Sequence, residues 1–216
     1  MTQTLPTNIP DLLELVRLVY AYRMNQCGPV PSGVYWKDAE GQVLRLEILL
    51  QAVRPEDLNG PISVNDFGCG YGALFELLAG ERMMSGGRYV GYDISEEMVA
   101  AAQTYHADDR ATFLVSPVAT ERADYSFVSG TYNMFMGAEH ALWTHYVKTS
   151  LDMLWAKTEK VMAFNMLDDK SETKLADLYY ADKRTFIEHA LKLSPDVEVI
   201  DDYPLNEFTI FVKRVS

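Results

Sequence analysis

Apolar positions in this chain follow two different periods. Across residues 10–24, Leu12, Leu15, Val16, Val19 and Tyr22 recur at helical spacing and predict an amphipathic helix. A break rich in Gly and Pro spans 27–33, and a second helix is expected over 42–53, stopped by Pro55. From residue 62 onward, short apolar runs predict strands at 62–66, 88–93, 112–116, 124–129 and 160–166. Helical patterns separate them, notably 74–84, 96–105 and 141–157, and another covers 182–193. Two last strands are expected at 197–200 and 208–215. Strands alternating with helices point to a mainly parallel α/β sheet with helices on both faces. Only the loop 201–206 joins the last two strands, too short for a helical crossover, so that pair must be antiparallel.

The end of the first of these strands carries the most chemistry. Asp66-Phe67-Gly68-Cys69-Gly70-Tyr71-Gly72 places a carboxylate at the strand tip and glycines at three alternate positions before a helix. Glycines allow a sharp turn and a close backbone approach to a ligand, and the helix behind them presents unpaired N–H groups. A nucleotide-type cofactor site follows. The pattern reads G-x-G-x-G, but Gly68, Gly70 and Ala73 also fit the dinucleotide fingerprint. Asp66 discriminates on electrostatic grounds. A carboxylate there repels a diphosphate and suits a ligand that presents an ammonium group. S-adenosylmethionine (SAM) offers an ammonium, a sulfonium and a neutral adenosine.

A second acid, Asp93, ends the second strand and is placed to accept hydrogen bonds from two ribose hydroxyls, in SAM or in NAD alike. Ser95 reads as the N-cap of the next helix, with Glu96 and Glu97 in its first turn. Ile94 and Met98 are placed to flank an adenine ring.

With these residues the chain resembles the class I SAM-dependent methyltransferases, through Asp66 to Gly72, through Tyr92-Asp93-Ile94-Ser95, and through the third and fourth strands with their loops. The resemblance covers roughly residues 60–216. It implies a Rossmann-like three-layer sandwich whose seven-stranded, mostly parallel sheet ends in an antiparallel strand. It also implies SAM as cofactor, with S-adenosylhomocysteine (SAH) as product. The site residues expected on the cofactor side are Asp66, Gly68, Cys69, Gly70, Gly72, Asp93, Ile94, Met98, Ser116, Pro117 and Ser129. One departure stands out. The third strand of this family often ends in an Asp for the adenine amino group, whereas this one runs into Ser116-Pro117.

Residues 1–58 are expected to form a helical cap over the core of 59–216, within one structural domain. Tyr35 and Trp36 beside Gly33 either close over the sulfonium, where an aromatic face attracts positive charge, or pack the N-terminal helices on the sheet. Gln42 and Arg45, on the following helix, either face solvent, the favoured reading, or contact substrate. On the acceptor side, Asn133 joins Tyr35 and Trp36 as a candidate catalytic residue. His140 and His145 are possible general bases, although a histidine near a helix surface is more often a bystander. Asn165, Tyr179 and Tyr180 line the far wall or pack. Asp168-Asp169 reads as a solvated turn, and no metal site is expected.

Composition narrows the function. The net charge is −12 and no segment clusters Lys and Arg, which disfavours a nucleic-acid substrate. The loop after the fourth strand also lacks the double-proline signature of base amino-methylating enzymes. Two cysteines, Cys27 and Cys69, give no disulfide framework. No apolar run approaches the roughly 18 residues of a membrane span, and residues 1–6 lack the basic start of a signal peptide. The expectation is a cytoplasmic SAM-dependent methyltransferase of a small molecule, of unassigned oligomeric state and acceptor atom. An NAD(P)-dependent oxidoreductase and a non-catalytic SAM-binding partner protein are the alternatives.

Overall fold

The computed structural model describes residues 8–36 and 38–215, so the N-terminal segment 1–6 lies outside the described residues. Helix α1 (Ile9–Cys27) opens on Asn8, whose side chain accepts the Asp11 N–H, and closes at Gly28 with φ 75°. Leu12 and Val16 are buried as the pattern requires, but Tyr22 is 66% exposed. Six residues past Val16 is well short of two full turns, so position 22 falls off the inner stripe, which continues instead through Ala21 and Met24. Helix α2 (Ala39–Leu50) starts three residues ahead of the expected point because the Asp38 carboxylate caps the Gly41 N–H.

Strands β1 (Ser63–Phe67), β2 (Arg88–Asp93), β3 (Ala111–Val115), β4 (Ala123–Val128) and β5 (Thr158–Asp168) pair in parallel. Helices α3 (Ala73–Leu78), α4 (Glu96–Tyr105) and α5 (His140–Trp155) connect them. The helix expected over 74–84 is cut short: α3 stops before Gly80, and residues 82–84 form a single 3₁₀ turn. After β5 come β6 (Tyr180–Ala181), α6 (Lys183–Leu193), β7 (Asp196–Ile200) and β8 (Glu207–Lys213). The sheet order is β3-β2-β1-β4-β5-β8-β7, with β8 antiparallel to both neighbours, to β7 because the short 201–206 loop demands it. The two-residue strand β6 pairs with the end of β5 and makes an eighth strand, too short to leave a pattern in the sequence.

Successive residues of the central strands feed opposite faces. In β5, Val161 and Ala163 join Leu49, Phe75 and Val99 on one side, while Met162, Phe164 and Met166 join Leu151, Phe186 and Ile210 on the other. Burial on both faces explains the near-continuous apolar runs of these strands. Among the described residues no helix is long and apolar enough to cross a membrane. The parallel strands all point their C-terminal ends at one edge, where ligands of such sheets sit.

Candidate active site

The β1–α3 loop is a tight turn in which Gly68, Gly70 and Gly72 all take positive φ (78°, 54° and 89°). Four of its N–H groups are already occupied. Those of Gly68 and Cys69 donate to the Tyr92 carbonyl at 2.8 and 3.0 Å, Gly70 to Asp93 Oδ2 at 2.9 Å, and Gly72 to the Cys69 carbonyl at 3.0 Å. The four donors at 68, 69, 70 and 72 are thereby spent on the protein and not free for a phosphate. Gly68 also fits only as glycine, since a Cβ there would overlap the side chain of Thr131, whose hydroxyl donates to the Phe67 carbonyl at 2.8 Å. Gly68→Ala therefore combines a left-handed backbone with overpacking and should destabilise the chain by about 2–4 kcal/mol in urea unfolding. A wild-type midpoint for that variant contradicts the loop geometry.

Two carboxylates reach the same cavity. Asp66 is 3% exposed and accepts the Tyr89 hydroxyl. Burial lifts its pKa to about 7, the Tyr89 hydrogen bond pulling down and the nearby Asp93 pushing up. Asp93 accepts the Gly70 and Ser95 N–H groups, each at 2.9 Å. Burial raises its pKa too, against those backbone donors.

The cavity, about 970 Å³ with its mouth included, opens at the C-terminal ends of β1, β2 and β4. Asp66, Gly68, Cys69, Gly70, Asp93, Ile94, Met98, Ser116 and Ser129 all line it. Gly72 and Pro117 do not. Gly72 instead backs onto the His106 ring, where a Cβ would come within 2.6 Å, and it serves as the α3 N-cap. Of the aromatic pair, Trp36 is in the wall, whereas Tyr35 is 42% exposed, packed edge-on to Tyr20. Asn133 is buried behind Gly130, its N–H donating to the Gly130 carbonyl at 3.1 Å.

Several walls escaped the sequence. Tyr20 from α1, Val34, and Leu46 from α2 cover the cavity, and Trp143 and Tyr146 from α5 close its far side. Gln42 and Arg45 turn inward rather than to solvent, and Gln42 lines the cavity. The Tyr71 hydroxyl donates to Gln42 Oε1 at 2.8 Å, and Arg45 pairs with the buried Glu207. Partners from other elements draw in both polar side chains. His140 and His145 belong to a separate surface hollow with Tyr179 and Lys148, away from this cavity. Tyr179 is core, tilted against the His140 ring and edge-on to Phe186. Asp168 caps its own turn through the Lys170 N–H.

Comparison with known proteins bears on what the cavity is for. Residues 64–162 match a family model described as a methyltransferase domain. The chain is 36% identical over 160 residues to "Putative methyltransferase Rv1506c" of Mycobacterium tuberculosis (strain ATCC 25618 / H37Rv), a match spanning 72% of this chain and 95% of that protein. The chain belongs to the class I SAM-dependent methyltransferase family. Among solved structures, magnesium protoporphyrin IX methyltransferase (ChlM) from Synechocystis PCC 6803 with bound SAM is similar at a TM-score of 0.68 and 15% identity, covering 100% of both chains. The DhpI–SAH complex is similar at 0.61 and 15% identity, covering 93% of this chain and 95% of that one. At such identities the likeness is one of fold. SAM is the cofactor of this methyltransferase family, and the antiparallel β8 agrees with the family and not with a plain dinucleotide fold.

Proposed function

We propose that the chain transfers a methyl group from SAM to a small-molecule acceptor in the cavity beyond β1, β2 and β4. The observation that carries this reading is the convergence of Asp66 and Asp93 on one cavity beside a glycine turn whose N–H groups at positions 68, 69, 70 and 72 are already donated. That chemistry fits a ligand with a cationic amino-acid end and a ribose diol, and it opposes a diphosphate. Asp93 would hold the ribose hydroxyls, Asp66 the ammonium, and Ile94 with Met98 the adenine faces. Ser116, in place of an acid, has its hydroxyl committed to the Val118 carbonyl at 2.7 Å, so adenine contacts from this loop fall to backbone groups.

When bound, SAM supplies an electrophilic methyl on a sulfonium and leaves as the neutral thioether. The chain's task is then to aim an acceptor in line with that methyl and to exclude water. Helices α1 and α2, with Val34 and Trp36 between them, serve as the cover over the core, and the apolar wall of Val34, Leu46, Trp143 and Tyr146 dries the site. A small acceptor is supported by the aromatic cavity walls and by the acidic net charge of −12, which works against nucleic acid. The relative ChlM is named for a porphyrin substrate, a small molecule.

Labelled SAM incubated with the protein and a fractionated pool of small metabolites tests the proposal. Label should pass to a low-molecular-weight product. Transfer only to RNA, DNA or protein overturns the acceptor class, and SAH binding without any labelled product favours a non-catalytic partner.

A further inference from the structure

Across the sheet edge the order β2, β1, β4 sets Asp93, then Asp66, then the loop Ser129–Thr131. If Asp93 marks the ribose and Asp66 the ammonium, the β4 loop is the next station, where the acceptor meets the methyl. This step rests on the SAM reading above. The β4 side of the cavity has an unusual support. Gly130 has φ 66°, and a Cβ there would strike the Trp36 ring, so Trp36 lies directly on the Gly130 backbone. The Arg45 guanidinium sits 4.1 Å from the Trp36 ring centre. Its Nε donates to both carboxylate oxygens of Glu207, at 2.8 and 2.9 Å. Glu207 is 3% exposed and accepts Asn165 Nδ2 at 3.2 Å. Asn165 Oδ1 in turn accepts the Gly130 N–H at 2.8 Å, which closes the ring of contacts.

Five residues from α2, β8, β5, the β4 loop and the covering segment thus form one closed circuit, and two of them, Trp36 and Gly130, face the cavity. A buried ion pair of this kind adds little stability over apolar packing of the same volume. Its distinctive product is geometric. The planar fork of Arg45 fixes a carboxylate on its edge and an indole on its face at once, which a lysine does not reproduce.

We propose that Arg45 is a positioning residue: through Trp36 on one side, and Glu207 and Asn165 on the other, it locks Trp36 and the Gly130 backbone into a single wall on the acceptor side. The cofactor half, built on Asp66 and Asp93, does not depend on it.

The test is ¹⁹F NMR of the full chain labelled with 5-fluorotryptophan, which carries three tryptophans, with the Trp36 signal assigned through Trp36→Phe. Two variants open the circuit at opposite ends: Arg45→Lys keeps the charge and loses the fork, and Asn165→Ala frees the Gly130 N–H while sparing the ion pair. In both, the Trp36 resonance should broaden or shift and become sensitive to D₂O. The Trp143 and Trp155 resonances should stay in place, and SAH affinity by calorimetry should remain within threefold of wild type. An unchanged Trp36 resonance in either variant overturns the proposal. So does displacement of all three tryptophan signals, or a loss of SAH affinity beyond threefold, because either marks a general structural role. Failure of the wild-type chain itself to bind SAH counts against the SAM reading, and the Trp36 response then still decides whether the circuit holds the wall.

Discussion

Asp93→Ala is expected to weaken SAM and SAH binding at least a hundredfold while the chain stays folded. Asp93 acts twice. Its carboxylate braces the glycine turn through the Gly70 N–H and the start of α4 through the Ser95 N–H, and it is the acceptor proposed for the ribose diol. Each hydrogen bond to a charged group contributes about 1.5–3 kcal/mol, so losing the diol contacts alone accounts for two orders of magnitude in Kd. Stability should change less. The ionised form of Asp93 is disfavoured by burial, and removing it relieves that penalty while it frees two N–H groups. Asp93→Asn, which keeps one acceptor, should fall between the two. Calorimetric titration with SAH, alongside circular dichroism, reads both effects. Wild-type affinity in Asp93→Ala refutes the placement of the ribose.

The second large effect concerns Asp66 and has a definite pH signature. Its pKa is about 7 in the folded chain against 3.8 for the free side chain. Between those values the unfolded chain has released the proton and the folded chain has not, so stability falls as pH rises from about 4 to about 7 and is level beyond. Asp66→Asn, whose amide oxygen still accepts the Tyr89 hydroxyl, removes that penalty. It should be neutral near pH 4 and stabilising by roughly 1–4 kcal/mol at pH 7.5. Ligand binding runs the other way. A cationic ammonium selects the ionised carboxylate, so wild-type SAM affinity should drop as pH is lowered from 7.5 to 5.5, by up to about tenfold per unit below 7. The variant should bind SAM at least tenfold more weakly at pH 7.5 and show a flat profile. A site residue that costs stability in exchange for ligand binding is an ordinary trade-off. Loss of stability in Asp66→Asn at pH 7.5, or a wild-type pH profile in that variant, contradicts the assignment.

The glycine turn and the acids that line the cavity are legible in the sequence because their determinants are local. The glycines at 68, 70 and 72, the two acids and the Ser95 cap each declare their conformation within a few residues of chain. The sheet followed from periodicity, and the antiparallel end from the length of one loop. What was not legible depends on partners far away in sequence. Arg45 looks like a surface residue on α2 until β8 brings Glu207 to it across 162 residues. Gln42 likewise turns inward because Tyr71 meets it. Neither amphipathic pattern nor charge count carries that information, since a buried ion pair reverses the usual sign of the burial rule. The early end of α3 reflects a glycine that periodicity alone passes over, and β6 is only two residues long. Tyr22 was misplaced by phase: it is apolar enough for the stripe but sits on the wrong side of the helix.

Direct comparison of ligands in one calorimeter cell puts the charge argument to its hardest trial. At pH 7.5 the wild-type chain should take up SAM and SAH at one site per chain, with NADH giving no saturable heat at the same concentrations. Saturable binding of NADH that SAH displaces would mean that the glycine turn accommodates a diphosphate after all, and the reading of Asp66 would fall with it.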